Sequence, residues 1–117
     1  MKELLAGTVL YENATGTTGN VTLSQDISNM KRIRISGYHN YAEILCYFSQ
    51  EFDVLVNTEA GLLVKSQDRS VNSYIAGETI IIGATSITRG TAYVYNLTTP
   101  GRSESSLNIT KVIGYNY

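Results

Sequence analysis

The stretch Lys31-Arg32-Ile33-Arg34-Ile35-Ser36 sets an isoleucine at every second position among basic and polar residues. An extended chain sends successive side chains to opposite faces, so this spacing predicts a strand with Ile33 and Ile35 toward a core and Arg32 and Arg34 outward. A helix would scatter the same residues around its circumference. The basic run is read as a solvated strand face, with an electrostatic contact to a neighbouring subunit as the alternative.

The same alternation recurs on either side. Val9 and Tyr11 alternate with Thr8, Leu10 and Glu12, and Val21 and Leu23 alternate with Thr22 and Ser24. Tyr93 and Tyr95 alternate with Ala92, Val94 and Asn96. Ile109, Lys111 and Ile113 fall on one face, Thr110 and Val112 on the other. Thr79-Ile80-Ile81-Ile82-Gly83, introduced by Glu78, reads as a short strand buried on both faces. Turn signals separate the runs: residues 13–20, 26–29, 36–40, 57–61, 89–90 and the Pro100 loop at 96–102. Only residues 28–31 and 49–52 could hold a helical turn. The expectation is an all-β fold, an antiparallel β-sandwich or jelly-roll-like arrangement of eight to ten short strands. It is expected to form one domain over residues 1–117.

Composition agrees. The 117 residues include 13 Thr, 11 Ser, 9 Asn, 10 Gly and 9 Tyr, with no Trp. Thr and Tyr suit pleated, half-buried surfaces, while Gly, Asn and Ser suit turns. Charged residues make up 16% and the formal net charge is −1. That balance argues against a nucleic-acid binder, which carries a basic face. No signal peptide is expected in Met1–Gly7, and no apolar run approaches the ~20 residues of a membrane helix. Membrane insertion is therefore not expected. Cys46 is the only cysteine, which rules out an intrachain disulfide, and its apolar surroundings suggest a buried, inert thiol.

Little in the sequence points to catalysis. His39 is the only histidine and is read as an exposed residue of a Gly37–Tyr41 loop. A small hydrolase built on His39 is the weakest of three functional readings, because no nucleophile-elbow pattern accompanies it. The carboxylates Glu12, Asp26, Glu43, Glu51, Asp53, Glu59, Asp68, Glu78 and Glu104 are scattered. Glu51 and Asp53 would share one strand face, the wrong arrangement for attack from two sides of a glycosidic bond. No calcium-loop spacing appears, so no metal site is expected. Four Asn-x-Ser/Thr triplets, at Asn13, Asn20, Asn96 and Asn108, are read as chance products of an Asn- and Thr-rich chain. Tyrosine joins apolar area to a hydroxyl and suits wet interfaces and sugar platforms alike. Tyr38, His39, Asn40 and Tyr41, with Tyr117, are the candidates for surface contact.

The ending Ile109-Thr110-Lys111-Val112-Ile113-Gly114-Tyr115 resembles the C-terminus of small β-structured virion proteins of tailed phages and prophages, of the tail-fibre, receptor-binding or head-fibre type. The start is similar too: Leu10-Tyr11-Glu12, a Gly16–Asn20 turn, Val21-Thr22-Leu23-Ser24, Ser28-Asn29-Met30, then the Lys31–Ile35 strand. The matching segments cover about a third of the chain. The resemblance implies a homotrimeric β domain on a phage head or tail, made in the host bacterial cytoplasm and located on the virion. It implies host-surface binding or decoration without catalysis or cofactor. The partners would be other virion proteins, with a host-surface glycan as a candidate receptor. A stand-alone carbohydrate-binding or adhesin-like module is the alternative.

Overall fold

In a computed structural model, which describes residues 7–41, 44–67 and 73–117, every regular element is a strand. In chain order they are β1 (Thr8–Thr17), β2 (Val21–Thr22), β3 (Arg32–Tyr41), β4 (Ile44–Asp53), β5 (Thr58–Gln67), β6 (Ser73–Ile82), β7 (Ser86–Thr88), β8 (Ala92–Asn96), β9 (Gly101–Glu104) and β10 (Asn108–Tyr115). All pairings are antiparallel. One sheet has the order β1-β10-β3-β4. In the other, β6 pairs along its length with β5 and, on its far side, with β7 and β8 in succession. β2 lies outside β7, and β9 outside β8.

The two sheets share one apolar core, and their alternation supplies it. Ile33, Ile35, Ile109 and Val112 from the first sheet, and Ile80 and Ile87 from the second, are 0% exposed. Residues 23–31 cross between the sheets and seat Leu23, Ile27 and Met30 in the same core. The result is the expected antiparallel β-sandwich, and five of its ten strands are ten residues long.

Several expected turns and faces are corrected. Residues 36–40 do not turn: β3 runs through them to Tyr41. Gly37 serves close approach instead. A Cβ there would run into the carbonyl oxygen of Asn108 and lie 2.9 Å from Phe48. The chain turns at Val54–Asn57, earlier than expected, with Asn57 at φ 64 and β5 already under way at Thr58. The 79–83 run is the end of a ten-residue strand with one wet face, since Ile80 and Ile82 are buried while Ile81 is 39% exposed.

Two bulges explain the remaining misplaced faces. The β1–β10 register slips between Val9 and Tyr11, so Leu10 enters the core and Val9 faces out. The β10–β3 register slips between Ile109 and Lys111, so Ile109 and Val112 both face in. A bulge inserts one residue and reverses the inward phase beyond it.

The end of β3 and the start of β6 lie together at one end of the sandwich. They meet there through an edge-on contact of Tyr41 with Tyr74, ring centroids 5.2 Å apart. Where β4 and β5 meet at the sandwich edge, Gln50 joins the sheets. Its side chain donates to the Gly61 carbonyl at 2.9 Å and accepts from the Leu63 N–H at 3.1 Å.

Candidate functional site

Because β3 stays extended, the side chains of 38–41 divide between its two faces. Tyr38 and Asn40 point outward; His39 and Tyr41 point inward. On the outer face, Tyr38 lies opposite Tyr47 and Asn40 opposite Leu45 on β4, while Glu12 lies opposite Lys111 across β1 and β10. These residues line an open hollow of about 770 Å³, with Ala14 and Thr110 completing its wall.

The hollow is aromatic, polar and braced. The Tyr38 and Tyr47 rings meet edge-on at 6.5 Å and 63°. The Tyr38 hydroxyl donates to the Thr15 carbonyl at 2.7 Å, which fixes that ring. Gly16, at φ +84, lets β1 pass beneath it: an added Cβ would lie 3.2 Å from the Tyr38 ring. Tyr47 is 77% exposed and Leu45 48%. Lys111 and Glu12 form an ion pair at 3.3 Å across the rim, so the lining carries balanced charge. Among the described residues, neither the Asn40 carboxamide nor the Tyr47 hydroxyl has a hydrogen-bond partner.

His39 departs from expectation. It is a strand residue 1% exposed, not a loop residue open to solvent. Its Nε2 shares a hydrogen bond of 2.8 Å with the Ser105 hydroxyl, and its ring stacks on Tyr41 at 5.9 Å. Burial pushes the imidazole below its ordinary pKa and favours the neutral ring. A Ser–His contact is the first half of a nucleophilic site, but no hydrogen bond or ion pair joins His39 to a carboxylate among the described residues. Cys46, opposite His39 across the β3–β4 pair, is partly buried against the core.

Tyr117 lies at the other end of the sheet. Its carbonyl accepts from Arg32 Nε at 2.8 Å, the Arg32 guanidinium sits 5.0 Å over its ring, and Tyr115 meets it edge-on at 5.4 Å. The structure thus gathers Tyr38 and Asn40 into the hollow and sends His39, Tyr41 and Tyr117 elsewhere. Tyr47 and Leu45 were missed, although two large apolar residues at i and i+2 beside inward Cys46 are the signal for a wet apolar strip on β4. Along the same outer face, Glu51 engages the basic run, accepting from Arg34 and lying 3.7 Å from Arg32. Glu43 and Asp68 lie outside the described residues, as do Met1–Ala6 of the region read for a signal peptide.

The sequence reading also missed a buried ion pair. Glu78 sits on the inward face of β6 between Ala76 and Ile80, its side chain 2% exposed; that of Arg89 is 4% exposed. Arg89 Nη2 donates to Glu78 at 2.7 Å and to the Leu107 carbonyl at 2.8 Å, and Nη1 donates to the Thr17 carbonyl at 2.9 Å. The Arg89 N–H donates to Asn20 Oδ1 at 2.7 Å. A carboxylate on an apolar strand face needs a cation, and the alternation of β6 carried that signal. This cluster ties together β1, β6 and the start of β10, and its donors and acceptors are occupied by one another.

Compared with protein-family models, curated proteins and solved structures, the chain matches none.

Proposed function

We propose that this chain is a non-enzymatic display domain of a tailed-phage virion, a homotrimer on the head or tail that holds host-surface groups through multivalent non-covalent contacts. The observation that carries this reading is the hollow on the outer face of the β1-β10-β3-β4 sheet. It sets exposed Tyr47 and Leu45 beside a braced Tyr38 on strands, where the backbone is held by ladder hydrogen bonds. An exposed aromatic on rigid scaffolding binds with little ordering cost. One open hollow gives weak affinity, and three on one particle multiply it through effective concentration. The sequence resemblance at both ends of the chain supports the virion setting.

The test has two parts. Light scattering on a sizing column gives the native mass, and co-sedimentation of labelled protein with a panel of bacterial strains gives adhesion. A mass near three subunits, with adhesion abolished by Tyr47→Ala and Leu45→Asp together, is the expected result. A monomer at every concentration that sediments with no strain would overturn the proposal.

A further inference from the structure

We infer that the hollow on the outer sheet face takes an uncharged saccharide, with a sugar ring stacked on Tyr47 and its hydroxyls hydrogen-bonded by Asn40. The inference rests on the reading of the hollow as a binding site and adds the chemical class of its ligand.

The lining itself argues for this class. A pyranose presents an apolar C–H face and a rim of hydroxyls that both donate and accept. The hollow offers the complementary set. Tyr47 presents an open ring, 77% exposed, and Leu45 beside it is 48% exposed. The Asn40 carboxamide both donates and accepts, as does the Tyr47 hydroxyl, and neither is committed to another described residue. The volume of about 770 Å³ lies within the range of small-molecule sites, and the site is pre-formed because Tyr38 is pinned to Thr15.

Charge selects within the class. Among the described residues, the charged groups lining the hollow are Lys111 and Glu12, 3.3 Å apart and facing each other. An anionic sugar finds its cation already neutralised, and its carboxylate, sulfate or phosphate would meet Glu12 as well as Lys111. A neutral hexose or N-acetylhexosamine faces no such repulsion, and the N-acetyl methyl has Leu45 to rest on. Other apolar surface, such as Leu63, Ile81 and Tyr95 on the opposite sheet, lacks this pairing of an open ring with an uncommitted amide.

The experiment is an array of immobilised oligosaccharides probed with the full chain coupled to a multivalent bead. The array holds neutral hexose and N-acetylhexosamine oligomers, sialylated and uronate-bearing oligomers, and a glycerol-phosphate polymer. The expected result is retention on neutral oligomers, reduced about tenfold or more by Tyr47→Ala and by Asn40→Ala. Both positions are exposed, and unchanged thermal unfolding of each variant shows that the fold survives. Glu12→Gln, which leaves Lys111 unpaired, is expected to add retention on the anionic oligomers. Stronger binding of the wild type to anionic than to neutral oligomers would overturn the inference, as would retention indifferent to Tyr47→Ala. Retention on no oligosaccharide, with adhesion to cells still lost in the Tyr47 and Leu45 variant, would also overturn it while leaving the display reading standing on a protein ligand.

Discussion

Replacing Arg89 by methionine should cost about 3–5 kcal/mol, the usual loss when one partner of a buried pair is removed. The structure places the loss toward the upper end. The Glu78 carboxylate, 2% exposed, would lose its cation, and the Thr17 and Leu107 carbonyls would lose their donor. Each buried polar group left unmatched adds roughly 1–3 kcal/mol. Against a total of about 5–15 kcal/mol for a domain, that leaves the variant marginal. The midpoint of thermal unfolding should drop by roughly 10–20 °C. Glu78→Gln should cost less, because the amide keeps one acceptor and the volume, but it strands a buried guanidinium. Arg89→Met combined with Glu78→Leu removes both charges. The double variant should then lose clearly less than the sum of the single losses, a coupling of about 2 kcal/mol. Urea unfolding followed by far-ultraviolet circular dichroism is the suitable assay, since the chain has no Trp to report by fluorescence. Single losses below about 1 kcal/mol, or strict additivity in the double variant, would show that the pair is solvated and that the reasoning fails.

Three further outcomes are expected. The folded chain holds His39 neutral below its ordinary pKa of 6.5, whereas the unfolded chain takes up the proton there. The His39 contribution to stability is therefore full above about pH 6.5 and falls on acidification toward the lower folded pKa, after which it levels. Denaturation at pH 7.5 and 5.5 should show a larger acid loss in the wild type than in His39→Gln, and equal losses would refute the assignment. Gly37→Ala forces a Cβ against the Asn108 carbonyl and should cost about 1–3 kcal/mol, read in the same urea assay. Gln50→Ala uncaps Gly61 and Leu63 on β5 and should cost about 1 kcal/mol or less, while increasing concentration-dependent association measured by light scattering.

The fold class was legible because β3 and β8 alternate with little interruption, and alternation is a local property. Faces failed at Leu10 and Val112 because a bulge is made by two strands together, and neither sequence alone announces the extra residue. Gly37 misled for a related reason: glycine in isolation signals a turn, whereas here it admits a neighbouring backbone that comes from 71 residues later, at Asn108. That one misreading also displaced His39, because extending β3 past Gly37 reverses the fate of every second residue. Tyr38 and Asn40 survived as surface groups, on a sheet face instead of a loop. Glu78 and Arg89 were individually visible, but their meeting depends on the path of the chain between them.

The β1–β10 pair has a mechanical consequence. Thr8 lies opposite Gly114 and Tyr115 opposite Arg32, so β1 enters and β10 leaves at one end of the sheet. Tyr38 in the hollow lies opposite Asn108, roughly 20 Å further along the strands at ~3.3 Å per residue. On the display reading proposed above, tension between a group seated in the hollow and a carrier attached at the β1 and β10 end would run parallel to the strands. It would load the β1–β10 and β10–β3 ladders in shear, so their hydrogen bonds share the force instead of opening one after another. A ligand pulled away from its carrier would then leave the hollow before the sheet unzipped.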